Sequence, residues 1–66
     1  MNQMAIISVI IPTFNRAALI RRALLSVVQQ RNVKTEIIVV DDGSTDNTEQ
    51  LIKKEFKCVT YIKQNH

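Results

Sequence analysis

Short, continuous apolar runs alternate along this chain with longer stretches in which apolar residues recur every three or four positions. Met4 to Ile11 is almost uninterrupted, and Ile6, Ile7, Val9, Ile10 and Ile11 are β-branched, which predicts a strand apolar on both faces. Pro12 is expected to end it. Thr13, Phe14 and Asn15 then form a short loop, with the Asn15 side chain placed to cap the next helix. From Arg16 to Gln30, Ile20, Ala23, Leu24, Val27 and Val28 mark one helical face and Arg21, Arg22, Ser26, Gln29 and Gln30 largely the other. A polar connector, Arg31 to Thr35, leads to a second β-branched run, Glu36 to Val40. Asp41 to Thr45 has loop composition, and Asp46 with Glu49 predicts a capping box for a second helix whose apolar side is Leu51, Ile52 and Phe56. Cys58 to Ile62 reads as a third strand, with Cys58 and Tyr61 as packing residues and Lys63 to His66 as a polar end.

Strands alternating with helices at this spacing predict an α/β, three-stranded parallel βαβαβ unit. Crossovers in such units are right-handed, so with strand order 3-2-1 both helices cover one face of the sheet. The strands are nevertheless apolar on both faces, and parallel sheets are normally covered on both. Residues 1–66 are therefore expected to be part of a larger domain. An uncovered apolar face, with Ile7, Val9, Ile38 and Val40 as candidate positions, would favour self-association.

Composition narrows the possibilities without redirecting them. Sixty-six residues hold at most one small domain. With 45% hydrophobic residues, one glycine and one proline, the chain is neither collagen-like nor low-complexity. A lone cysteine, Cys58, excludes a disulfide scaffold and a zinc cluster and fits a reduced, intracellular setting. The net charge of +3 comes from nine basic and six acidic residues with no basic run longer than two, the pattern of solvated helix faces rather than of a nucleic-acid patch. No apolar run approaches the roughly 18 residues of a membrane span, and no basic residue precedes the first run as an export signal requires. The expected location is cytoplasmic, with association at the inner face of the membrane left open.

In open parallel sheets ligands bind beyond the carboxyl ends of the strands. Two loops fall there: Pro12-Thr13-Phe14-Asn15-Arg16 and Asp41-Asp42-Gly43-Ser44-Thr45-Asp46. An acid at the end of the second strand is placed to accept hydrogen bonds from a ribose or a base, and Phe14 offers a flat surface on which a base can stack. The same residues suit plain turn and cap chemistry, and spacing alone leaves both readings open. Other phosphate sites are excluded, because Gly43 is the only glycine where a dinucleotide fingerprint needs three and a Walker loop two plus lysine. The acidic loop also lacks the alternating ligands and terminal Glu of an EF-hand. His66 has no sequence partner to tune it.

Taken together, Ser8-Val9-Ile10-Ile11-Pro12-Thr13-Phe14-Asn15-Arg16 and Glu36-Ile37-Ile38-Val39-Val40-Asp41-Asp42-Gly43-Ser44-Thr45-Asp46 resemble the start of a family 2 glycosyltransferase. The likeness continues through Leu19, Ala23, Ser26, Val27 and Gln30 to Tyr61-Ile62-Lys63-Gln64-Asn65 and so spans nearly the whole chain. It implies the amino-terminal, nucleotide-binding half of a GT-A, Rossmann-like fold, incomplete here. It further implies transfer of a sugar from a nucleotide-diphosphate donor to an acceptor hydroxyl, usually with inversion, in a setting such as cell-envelope polysaccharide synthesis. On that resemblance Pro12, Thr13 and Phe14 line the base and ribose pocket, Asn15 and Arg16 close the motif, and Asp42, with Asp41 beside it, contacts the base. Ser44 and Asp46 match without a firm chemical role. The Asp-x-Asp metal motif, catalytic base and acceptor site of that family have no counterpart in these residues. The divalent cation (Mg or Mn) expected in a full-length enzyme would thus take its ligands elsewhere, and the segment alone would be inactive. The alternative is a small non-catalytic nucleotide-binding or protein-interaction module.

Overall fold

A computed structural model describes residues 6–29 and 34–65. Its elements are β1 (Ile6–Thr13), α1 (Ala17–Val28), β2 (Lys34–Asp41), α2 (Thr48–Glu55) and β3 (Thr60–Lys63). The sheet has the order β1-β2-β3 and both pairings are parallel, as the alternation of strands and helices predicts. Val9, Ile11 and Thr13 stand opposite Ile37, Val39 and Asp41, and Tyr61 and Lys63 stand opposite Val39 and Asp41. Side chains alternate along a strand, so these residues share one face of the sheet.

That face meets the helices. Ile20 and Leu24 of α1, Ile37 and Val39 of β2, and Ile52 and Phe56 beside α2 form the buried core, with Leu24 and Val39 fully enclosed. The helices lie side by side, bridged at the surface by Arg21 Nε and Glu55 Oε1 at 2.9 Å. An exposed pair of this kind contributes little, about 0 to 1 kcal/mol, and apolar burial holds the helices in place.

Several local expectations change. β1 runs through Pro12 to Thr13, since as an edge strand among the described residues it tolerates a residue without an N–H. Asn15 does not cap α1: the cap position is Arg16, with no side-chain cap bond. The capping box expected from Asp46 and Glu49 does not form: the cap position of α2 is Asn47, without a side-chain cap bond, while the Asp46 carboxylate accepts from the Thr48 N–H and Glu49 turns to Lys53 and Lys63. Cys58 is exposed and lies before β3 rather than in its core, because the turn leaving α2 takes up the residues that the apolar pattern assigned to a strand. Met4, Gln30, Arg31 and His66 lie outside the described residues.

On the opposite face of the sheet stand Ile10, Ile38, Val40 and Ile62, and among the described residues no element covers them. Ile10 is 63% exposed and Ile62 45%. Ile7 and Val9, two of the candidates for this face, belong by register to the helix side instead, because their parity is that of Ile11. The isolated 66-residue chain is expected to sediment above monomer mass and to bind hydrophobic dye, and Ile10→Lys with Ile62→Lys should reduce both. A dye-silent monomer with a cooperative thermal transition would show that the face needs no cover.

Candidate functional site

The two loops at the carboxyl ends of β1 and β2 are joined where the ladder ends, the Asp42 N–H donating to the Thr13 carbonyl at 2.9 Å. Beside this junction an open groove of about 550 Å³ is lined by Pro12, Thr13, Phe14, Arg16 and Asp42, with Leu19 and Ile20 of α1 along its wall. Phe14 is 39% exposed and Asp42 is exposed, so an aromatic face and a carboxylate are offered to one cavity. Arg16 adds a guanidinium, whose Nη1 donates to the Asn15 carbonyl at 3.4 Å. Flat apolar surface, anion and cation in one groove match a ligand with an aromatic base, hydroxyls and a negative charge.

Five of the seven residues singled out in the sequence therefore line the groove, and the other two support it from behind. Asn15 has a left-handed backbone, φ 50°, which asparagine tolerates better than most residues. That conformation turns its side chain toward the β2–α2 loop. There Oδ1 accepts from the N–H groups of Thr45 at 2.8 Å and Asp46 at 3.2 Å, while the Asn15 N–H donates to Ser44 Oγ at 2.8 Å. Gly43, at φ 88°, supplies the reversal that brings these donors round.

Asp41 is wholly buried. Its Oδ1 accepts from the Ser44 N–H at 2.8 Å and from the Ser44 hydroxyl at 2.6 Å, and its Oδ2 accepts from the Tyr61 hydroxyl. Burial pushes its pKa up, but the Ser44 and Tyr61 donors, aided by Lys63, together outweigh that and hold it below the usual carboxylate range. The Tyr61 hydroxyl is pushed the other way, by burial and by the carboxylate it faces. The paired acids thus differ in kind: Asp42 is presented to the groove and Asp41 is fixed beneath the loop. The parity of Asp41 with Ile37 and Val39 carries this distinction in the sequence. Tyr61 had no such signal, because its place depends on the register between β2 and β3.

Asp46 completes the arrangement. One carboxylate oxygen accepts from the Ala17 N–H at 3.3 Å and the other from the Thr48 N–H at 3.0 Å and the Thr48 hydroxyl, so a single acid serves the first turns of both helices. The Thr48 hydroxyl is the main cause holding its pKa below the ordinary value.

A sequence profile described as glycosyl transferase family 2 matches residues 8–66. An uncharacterized glycosyltransferase of Mycoplasma genitalium is 48% identical over 50 residues, which cover 73% of this chain and 17% of that protein. The GalNAc(5)-diNAcBac-PP-undecaprenol beta-1,3-glucosyltransferase of Campylobacter jejuni is 38% identical over 91% of this chain and 21% of its own length. The validoxylamine A glucosyltransferase of Streptomyces hygroscopicus is 44% identical over 73% of the chain and 12% of its own length. The chain thus spans no more than about a fifth of these relatives. No solved structure gives a significant match.

The depressed pKa of Asp41 has a definite sign. Its folded value lies below the unfolded one of about 3.9, so its stabilisation is complete above that pH and is lost as pH falls through the folded value. On the Ile10→Lys, Ile62→Lys background, Asp41→Asn should destabilise the fold at neutral pH by about 1 to 3 kcal/mol and flatten the acid limb of unfolding followed by circular dichroism. An acid limb as steep as the parent's would show that Asp41 does not carry it.

Proposed function

The chain belongs to glycosyl transferase family 2, and from that premise we propose that its groove is the nucleotide-facing wall of a donor site for a nucleotide-diphosphate sugar. The 66 residues are then one part of a single catalytic domain whose three-stranded α/β unit fits the nucleotide half of a GT-A fold. The observation that carries this reading is the convergence of Phe14, Arg16 and Asp42 on one groove at the carboxyl ends of adjacent parallel strands. In this site the base lies against Phe14 between Pro12 and Thr13, and the Asp42 carboxylate accepts from a base N–H or a ribose hydroxyl. Arg16 stands as counter-charge on the diphosphate side. Asn15 and Asp41 act through the loops they fix rather than through the ligand.

Transfer to an acceptor hydroxyl requires a base to take the hydroxyl proton and a means of stabilising the departing diphosphate. Among the described residues no three His, Cys, Asp or Glu side chains group as metal ligands, and the carboxylates of Asp41 and Asp46 are engaged in hydrogen bonds. These residues do not fit a cation site. A divalent cation, the catalytic base and the acceptor pocket belong to other parts of a full-length enzyme. The relative named for glucosyl transfer to an undecaprenol-linked acceptor supports a role in building an envelope glycan. No helix among the described residues is long and apolar enough to cross a membrane.

In the longest natural polypeptide that carries this segment, Asp42→Ala is expected to weaken uridine diphosphate binding by about 1 to 3 kcal/mol, read by calorimetry. Phe14→Ala should cost a similar amount, about 1 to 3 kcal/mol for a lost base stack. Unchanged affinity in both variants would remove the groove from the donor site. The 66-residue chain alone is expected neither to transfer sugar nor to hydrolyse donor, and metal-dependent turnover by it would overturn the division of labour proposed here.

A further inference from the structure

Tyr61 lies on β3 and is not among the residues that line the groove. Its hydroxyl nevertheless begins an unbroken series of hydrogen bonds that ends in the groove-lining loop. Tyr61 Oη donates to Asp41 Oδ2, and Asp41 Oδ1 accepts from Ser44 Oγ at 2.6 Å. A serine hydroxyl carries one hydrogen. Once that hydrogen is given to the carboxylate, the Ser44 lone pairs are left to accept, and one takes the Asn15 N–H at 2.8 Å. Asn15 follows Phe14 directly, and its own Oδ1 fixes the Thr45 N–H at 2.8 Å. The Asn15 N–H and the Ser44 hydroxyl thus form one donor-to-acceptor relay that ends on the Asp41 carboxylate, and the Tyr61 hydroxyl holds that carboxylate from its other oxygen.

We infer that Tyr61 is a positioning residue for the nucleotide-facing loops, acting through Asp41 and Ser44 on Asn15 and thereby on the placement of Phe14. The inference rests on the nucleotide reading of the groove, but the coupling itself can be tested without a ligand. In Tyr61→Phe the ring and its packing stay, while Asp41 Oδ2 loses its donor in a fully buried position. Held then only through Oδ1, by the Ser44 N–H and hydroxyl, the carboxylate is expected to shift toward water and draw Ser44 with it, weakening the bond from the Asn15 N–H to Ser44 Oγ.

The test uses the longest natural polypeptide carrying the segment, with amide hydrogen exchange and uridine diphosphate calorimetry on the same samples. Tyr61→Phe is expected to speed exchange at Asn15 and Thr45 by about fivefold or more relative to Val39, the loss of a hydrogen bond of about 1 kcal/mol, and to weaken nucleotide binding by a similar factor. Ser44→Ala, which removes the middle link, should give the same pattern even if Tyr61→Phe folds poorly. The double variant should lose no more than the worse single one, because both act on one series. An unchanged exchange ratio, additive losses, or altered exchange with unaltered affinity would each overturn the inference. If the unsubstituted protein binds no nucleotide, the donor-site reading fails, and the exchange ratio alone decides whether Tyr61 governs the loop.

Discussion

Asp41 is removed from water at the end of the central strand, and an ionised carboxylate in that position must gather donors or surrender its charge. The donors come from the loop that follows it and from the neighbouring strand. Meeting that requirement folds the β2–α2 loop back on itself, through a positive-φ glycine, until Ser44 lies beneath its own strand. Ser44, Thr45 and Asp46 can then meet Asn15, and the β1–α1 loop is drawn into register with its neighbour. The groove between Phe14 and Asp42 is a consequence of this arrangement: no single loop shapes it, and both are fixed by polar groups turned away from it.

The sheet shows the opposite economy. Its helix side closes a compact apolar core around Leu24 and Val39, while the other side presents Ile10, Ile38, Val40 and Ile62 without cover among the described residues. Both follow from one rule of handedness, because two right-handed crossovers moving in the same direction must fall on the same side. Among the described residues the segment is therefore well packed on the side that positions its loops and bare on the other. That asymmetry agrees with a chain that spans a small fraction of the relatives it matches.

How much of this could be read from the residues depended on how local the cause was. The β-branched runs and the three-and-four spacing of α1 gave the parallel α/β unit directly, since both periods are properties of the backbone. The ends of elements were less legible: Pro12 lies inside β1 because an edge strand accepts it, and Cys58 falls in a turn because α2 is followed by one before β3 begins. In the site, the division between Asp41 and Asp42 was present in the alternation of β2 but hidden by reading the acids as a pair. The role of Tyr61 was not present at all. It arises from strand register, which brings together side chains 20 residues apart.

That separation gives the segment a temporal order. At a synthesis rate of about 5 to 20 residues per second, the 20 residues between Asp41 and Tyr61 correspond to about 1 to 4 s between the emergence of the acid from the ribosome and that of its tyrosine. Through that interval β1, α1 and β2 have the residues to pair and pack, yet the carboxylate that will organise both loops lacks the donor on β3. The nascent chain therefore exposes the first strands and helix before the residues that complete the buried network, and the last short strand, four residues long, supplies its final donor.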